Sequence, residues 1–554
     1  MNKTTKILII ISLIYLALAS SNIITSLNTL ERGDNYFHII TTQGILKNHL
    51  NPISNYDLFM QQSDVGLNHP PLYNYFLALL LIIFKQIWFL NFSSIIINLL
   101  TGILLIKTSR LIFKNISNQT IIILYSLFLF IPIIVQGSCL IDLDVVLPLV
   151  MLLFVYFYLK NPDKIIINSL FFMLIWFTKI QGVPIIIASL FFYLIFTKKC
   201  KKDYLNAFLI ILAGSGLFFI IMFFYTSYIG IDFSRMFTHS SILDGIKKQI
   251  LNPKKTILTS FWTIKQLLIW VVPSTFLLYL MGIFNYVKNK NWKKHEKLLL
   301  PIIISIITLL ELIPIGTYGW NFPRYYIEFI PFMFLSMIPL IEKIKLTKKD
   351  FLKISLLLFI IINYFLIIPD PYLPEVSESF TAKSYFQLAG KVLFNFDLII
   401  FPIILVFVFY KGWKLNKDKF YKVLIISSLV IFISVGIMQL IKPYSTNNLY
   451  GDSHEDLKNT LEYLKNNTSP EDKLLLFPHV GYYFGNENNS NWYNSMLCYN
   501  SKECMTNITE NKDVKFMQFY PKDLERINGT LKEIISVEFE LDTNFGEYLI
   551  YKRK

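Results

Sequence analysis

The chain has 554 residues, 54% of them hydrophobic and 16% charged, with 49 Phe and 32 Tyr. So much apolar sequence, in runs of roughly 18–25 residues, excludes a soluble domain and predicts a polytopic α-helical membrane protein. The formal net charge is +15. Lys and Arg fall in short loops between apolar runs, where orientation in the bilayer accounts for them, so no nucleic-acid partner is implied.

In chain order, the first apolar run covers residues 7–27, with Lys3 and Lys6 holding its start inside. Residues 7–19 have the length of a signal-peptide core, but no small-residue cleavage site follows, so the run is read as a span. A polar stretch, 28–70, opens with Glu31-Arg32-Gly33-Asp34-Asn35-Tyr36 and closes on Asn68-His69-Pro70-Pro71-Leu72-Tyr73. Apolar runs follow at 71–90, 92–112, 120–138, 143–160, 164–178, 182–198, 205–229, 263–287, 298–317, 325–341, 351–368, 393–410 and 421–441.

The basic loops fix the parity. Lys107–Lys114, Lys160–Lys164, Lys198–Lys202, Lys288–Lys297, Lys343–Lys353 and Lys411–Lys422 all fall inside only if one early run does not span. The run 71–90 begins at a Pro-Pro pair and carries Lys85, so it is expected to lie tilted at the outer surface, extending the outer loop to 28–91. Thirteen spans then remain within 1–441. The N-terminus falls in the cytoplasm and the polar tail, 442–554, outside.

That tail predicts a small α/β domain. Helical periodicity covers His454–Asn467, with Glu455 and Asp456 in the first turn. Strand-like runs cover Lys473–Phe477, Val514–Tyr520, Ile534–Glu540 and Glu547–Lys552. Cys498 and Cys504 stand as a disulfide or as a free pair; Cys139 and Cys200 suggest no disulfide.

This frame sets Asp34, His69, Asp142, Asp144, Lys179 and Arg324 on one side, at membrane depth or just above. Charges at span ends also serve as snorkelling anchors, Lys179 and Arg324 above all. A one-sided set suits transfer from an anionic lipid donor. A polyprenyl-phosphate sugar leaves behind a phosphate whose growing charge calls for cations, which Lys179, Arg324 and His69 can supply. Asp34 can take the proton from an acceptor hydroxyl as it attacks the sugar. Asp142 or Asp144 can orient that acceptor or hold a divalent cation, Mg or Mn. No cofactor is required, since both carboxylates can simply hydrogen-bond to hydroxyls.

These motifs resemble the C-type glycosyltransferases, within them the protein O-mannosyltransferase and aminoarabinose-transferase branch. The resemblance rests on Gly33-Asp34-Asn35-Tyr36, His69-Pro70-Pro71-Leu72-Tyr73, an Asp at the second outer turn (Asp142 or Asp144), Thr178-Lys179-Ile180-Gln181-Gly182 and Arg324-Tyr325, in order across about residues 1–345. It implies a dolichyl-type polyprenyl-phosphate monosaccharide donor, inversion at the anomeric carbon and an external C-terminal domain. It also implies Asp34 as catalytic base, with His69, Lys179 and Arg324 lining the donor phosphate site and Tyr73, Gln181 and Tyr325 beside them. Many relatives carry a second acid after the first Asp; Asn35 here weakens a metal-bound reading of that loop. Of the second pair, Asp142 lies nearer the outer end of its span and is preferred. The absence of a Trp-Trp-Asp-Tyr-Gly signature argues against an oligosaccharyltransferase.

The acceptor expected is a hydroxyl on a protein, glycan or lipid, in an archaeal or bacterial plasma membrane. Two other classes compete. A transporter or flippase would show repeated halves and broken midplane helices, which the sequence lacks. A glycan ligase or polymerase would share the outer-face chemistry but use a pyrophosphate-linked oligosaccharide.

Overall fold

A computed structural model describes residues 2–27, 35–47, 70–229, 270–288, 295–318, 323–347, 349–350, 417–441, 454–469, 471–477, 480–481, 492–494, 514–520, 529–546 and 548–554, with isolated positions at 233, 260, 263, 264, 267 and 524. Asp34, His69, Cys498, Cys504 and the apolar runs 351–368 and 393–410 lie outside the described residues.

The helices are α1 (Lys3–Leu27), α2 (Asn35–Lys47), α3 (Leu72–Phe84), α4 (Phe92–Ile112), α5 (Asn118–Phe130), α6 (Pro132–Gln136), α7 (Leu143–Lys160), α8 (Ile165–Thr178), α9 (Gly182–Phe196), α10 (Lys201–Ile229), α11 (Pro273–Lys288), α12 (Leu299–Tyr318), α13 (Ile330–Ile341) and α14 (Lys417–Ile441). Among the described residues, five stretches are long and apolar enough to cross a membrane, and four apolar helices are shorter. The protein is membrane-embedded and mostly helical. Helix α3 has 13 residues and rises about 20 Å, less than the hydrocarbon thickness.

Two of the runs expected to span are interrupted. The run 120–138 breaks at Ile131, whose ψ of 134° is extended; Pro132 then opens α6 at its first turn, where a missing N–H costs nothing. The run 325–341 begins with a 3-10 turn, Pro323–Phe329, before α13.

Helices in lipid gain nothing from burying apolar area against one another, so they associate through small residues and polar clips. Helix α10 packs along α8. Gly214 makes this possible: a Cβ there would stand 2.7 Å from the Ser169 carbonyl oxygen. The opposite flank of α10 exposes Phe208, Leu212, Ile220, Phe223 and Phe224. Polar clips include Asn98 Nδ2 donating to Tyr15 Oη (3.0 Å), the Ser12–Tyr125 hydroxyl pair (2.7 Å) and the Tyr279–Ser305 pair (2.9 Å). For the site, the key packing is α7 against α4, α8 and the 323–329 turn.

After α14 the chain forms α15 (His454–Asn467), β1 (Lys473–Leu476), β2 (Trp492–Asn494), β3 (Val514–Phe519), α16 (Gly529–Glu538), β4 (Phe539–Phe545) and β5 (Tyr548–Arg553). The sheet order is β2-β1-β3-β5-β4; β1 runs parallel to β2 and β3, and β5 antiparallel to β3 and β4. Leu457 and Leu464, two turns apart on α15, are both fully buried. One strand expectation fails: 534–538 belongs to helix α16, and only the last residues of Ile534–Glu540 enter β4. Leu531, Ile534 and Ile535 stand at helical spacing, and that period outweighs the β-propensity of the two isoleucines.

Candidate active site

The site begins at the N-terminus of α7. Asp142 is its N-cap in extended backbone, and its Oδ1 accepts the Asp144 amide at 3.1 Å. A carboxylate satisfies an orphan donor there and complements the helix dipole. Asp144 follows in the first turn. Arg324, from the 323–329 turn, reaches both: its Nε lies 3.0 Å from Asp144 Oδ2 and its Nη1 3.3 Å from Asp142 Oδ2. Lys179 ends α8 in extended backbone. Its Nζ donates to Asp144 Oδ1 and, at 2.7 Å, to Glu328 Oε1. The Tyr325 ring lies 4.9 Å from Lys179 Nζ and 5.3 Å from the Arg324 guanidinium carbon, which adds cation–π attraction in a desolvated place.

Asp142, Asp144, Lys179, Arg324 and Glu328 each retain 1–5% of their surface. Charges so buried persist only when paired, because the desolvation penalty is several kcal/mol per ion. Asp144 is the hub, since its two carboxylate oxygens pair separately with Lys179 and Arg324. Three carboxylates face two cations. Glu311, on α12, brings a further carboxyl within electrostatic range of Glu328 and Lys179, and its Oε1 is buried without a hydrogen-bond partner.

Glu328 and Glu311 were not among the sequence-derived candidates. Each is a lone acid in an apolar run (Tyr326-Ile327-Glu328-Phe329 and Leu309-Leu310-Glu311-Leu312). Intramembrane carboxylates are costly enough that this signal alone could have flagged them.

Of the other expected residues, Tyr73 is buried on α3, shares a hydrogen bond with Ser93 Oγ (3.0 Å) and lies within interaction range of Asp142. The His38 ring meets Tyr73 edge-on at 5.3 Å, and its Nδ1 pairs with Asn74 Oδ1 at 2.8 Å. Helices α2 and α3, which immediately follow Asp34 and His69 in sequence, are thereby tied to the cluster. Gln181 is half-buried at the N-cap of α9, without a side-chain cap hydrogen bond.

The described carboxylates do not suit a divalent cation. Asp142, Asp144 and Glu328 are each engaged by Lys179 or Arg324, so a metal would meet two fixed positive charges. Among the described residues no group of three His, Cys, Asp or Glu has metal-binding geometry.

Residues 68–226, which include Tyr73, Asp142, Asp144 and Lys179, match the family model of dolichyl-phosphate-mannose-protein mannosyltransferase. The fold is that of ArnT from Cupriavidus metallidurans: TM-score 0.56 at 11% identity, covering 97% of each chain. A second ArnT structure, bound to undecaprenyl phosphate, superposes with TM-score 0.55 at 11% identity, again over 97% of each chain. The archaeal oligosaccharyltransferase AglB from Archaeoglobus fulgidus, in complex with an inhibitory peptide and a dolichol-phosphate, gives 0.51 at 12% identity over all of this chain and 74% of AglB. A comparison with curated proteins found no match. At these identities the structural likeness concerns the fold alone, and the residues have to carry the chemistry.

Proposed function

We propose that this chain is a C-type glycosyltransferase that moves a single sugar from a dolichyl-type polyprenyl phosphate to a hydroxyl of a protein, glycan or lipid at the outer face of the membrane. The observation that carries the reading is the buried joining of Lys179 and Arg324 to Asp142, Asp144 and Glu328 at one end of α7. Two cations held in a dry site are suited to the charge that develops on a departing phosphate. The donor class is supported by the undecaprenyl phosphate bound to ArnT and the dolichol-phosphate bound to AglB.

In the reaction, the acceptor oxygen bonds to the anomeric carbon as the bond to the phosphate oxygen breaks. The hydroxyl proton passes to Asp34, and attack opposite the leaving group inverts the centre. Arg324 offers a forked contact to the phosphate and Lys179 a point charge. His69, Tyr73, Gln181 and Tyr325 line the donor, and Asp142 orients the acceptor. Glu328 is a positioning residue that holds Lys179. Carboxylates engage both cations, so phosphate binding competes with Asp142 for the Arg324 fork. The accompanying topology has thirteen spans within 1–441, a cytoplasmic N-terminus, an outer loop 28–91 and an extracytoplasmic α/β domain over 442–554, in the plasma membrane.

The test incubates membranes containing the protein with polyprenyl phosphates that each carry one labelled sugar, beside the Asp34→Asn variant. Transfer should fall at least about 100-fold in the variant, the scale of a lost general base. Arg324→Lys should raise the donor KM more than it lowers kcat, because the fork is lost and the charge kept. Unimpaired transfer by Asp34→Asn sinks the assignment of the base. Reaction only from pyrophosphate-linked glycans would replace the reading with a ligase, and movement of intact donor without transfer would replace it with a flippase.

A further inference from the structure

The other end of α7 carries a second site. Helix α7 has 18 residues, so about 27 Å separates its Asp144 end from its Lys160 end. Around Lys160 the ends of α4, α9, α11 and α13 and the segment 295–297 enclose a half-open cavity of about 1120 Å³. Its polar wall is basic: Lys114, Lys160, Lys199, Lys297 and Lys343 face three acids, Asp203, Glu296 and Glu342.

Those acids already have partners, one of them within the wall. Glu296 pairs with Lys199. Glu342 accepts the Ser117 amide at 3.0 Å, and Asp203 accepts the Cys200 amide and thiol, both at 3.2 Å. Lys114, Lys160, Lys297 and Lys343 make no ion pair with a carboxylate among the described residues, and Lys160 lies 5.5 Å from the Tyr156 ring centre. Lys114, Lys160 and Lys343 stand at or just past the C-termini of α4, α7 and α13, where the helix dipole favours them; that explains their position but not the space between them. The remaining wall is apolar and aromatic, with Phe113, Tyr158 and Tyr193 prominent.

A basic rim over an apolar wall, at the ends of membrane helices, matches a ligand with a phosphate head and a hydrocarbon body. We propose that this cavity binds the headgroup of an anionic phospholipid from the leaflet opposite the Asp144 cluster. The general precedent is the attraction of basic inter-helical pockets for acidic lipid heads. A soluble phosphate could satisfy the lysines but would leave the apolar wall unused, so the lipid is the occupant to which the geometry points.

The experiment measures binding of dioctanoyl-phosphatidylglycerol to the full-length protein in neutral detergent by native mass spectrometry. Dioctanoyl-phosphatidylcholine and inorganic phosphate are the other arms. The variants are the pairs Lys160→Gln with Lys343→Gln and Lys114→Gln with Lys297→Gln. Lys164, Lys198, Lys201 and Lys202 remain to hold orientation. Phosphatidylglycerol should bind at least tenfold more tightly than phosphatidylcholine. Each lysine removed should weaken it about fivefold, the strength of one basic residue at an anionic surface. Equal binding of both lipids, or affinity indifferent to both lysine pairs, overturns the proposal. Full competition by millimolar inorganic phosphate also overturns it, by assigning the cavity to a soluble anion. If a pair fails to accumulate, protection of wild-type Lys160 and Lys343 from amine acetylation by phosphatidylglycerol, and not by phosphatidylcholine, is the substitute readout. Equal labelling in both lipids would then refute the site.

Discussion

The two ends of helix α7 make opposite use of charge. At the Asp144 end, five charged groups keep 1–5% of their surface and contact one another. At the Lys160 end, exposed and half-buried lysines surround a half-open cavity and mostly lack carboxylate partners. Water explains the contrast. A hydrated ammonium needs no counter-ion, whereas a buried one is stable only beside its partner, so burial dictates pairing and exposure permits surplus charge. A dry, paired cluster is rigid enough to position reacting groups, while an open basic ring can exchange its ligand.

The strongest way to break that comparison is to remove one charge at each end. Lys179→Met strands Glu328 and leaves Asp144 to Arg324 alone, and should cost about 3–5 kcal/mol, read as thermal unfolding in detergent. Lys160→Met should stay within about 0.5 kcal/mol. Equal losses would mean that the buried network does not carry stability.

A smaller effect tests packing in the same manner. On α10, a Cβ at Gly214 would meet the Ser169 carbonyl oxygen at 2.7 Å and Phe172 at 2.9 Å, whereas Gly216 has nothing within 4 Å. Gly214→Ala should cost about 1–3 kcal/mol by pushing α10 off α8. Gly216→Ala should gain up to about 1 kcal/mol in helix propensity. If both substitutions moved the melting temperature alike, the close approach would be wrong.

A double-mutant cycle then isolates pairing from general disruption. Lys179→Met with Glu328→Leu should show a coupling of about 0.5–3 kcal/mol, and Lys160→Met with Lys343→Met none above about 0.5 kcal/mol. Zero coupling in the first cycle would show that Glu328 does not hold Lys179.

The smallest effect belongs to an accessible pair. Burial pushes the Asp472 carboxyl up, but the Ser469 amide and Lys515 (2.9 Å) outweigh it and hold the group below its ordinary value. Its folded form therefore favours the ionised state. The associated stability is full above the unfolded value of about 3.9 and is lost as pH falls through the depressed folded value. Screening by solvent limits it to under about 1 kcal/mol. Melting of wild type and Asp472→Asn should converge on acidification from pH 7 towards 3; a constant gap would refute the linkage.

Much of this was legible in the chain. Runs 92–112 and 143–160 coincide with α4 and α7, because a long uninterrupted apolar stretch in lipid has helix as its outlet for backbone hydrogen bonds. Pro132 and the 323–329 turn interrupted other runs, since hydropathy averages over single breaks. Asp142, Asp144, Lys179, Arg324 and Tyr325 were recognisable as charges and an aromatic at span ends. Glu328 was hidden by the hydrophobicity of its neighbours, and α16 by two β-branched isoleucines.

The sequence by itself determined a membrane-embedded chain of apolar helices, with its acids and bases gathered at particular span ends. Composition and period are local properties, and they suffice for that. Only the tertiary structure decided that Asp144, rather than Asp142, is the hub, that Glu328 completes the cluster, and that lysines from separate helix ends enclose one cavity. Those facts depend on which helices touch. Contacts between residues 35 to 225 positions apart, such as Lys179 with Asp144 and Ser117 with Glu342, are set by packing that no local pattern encodes.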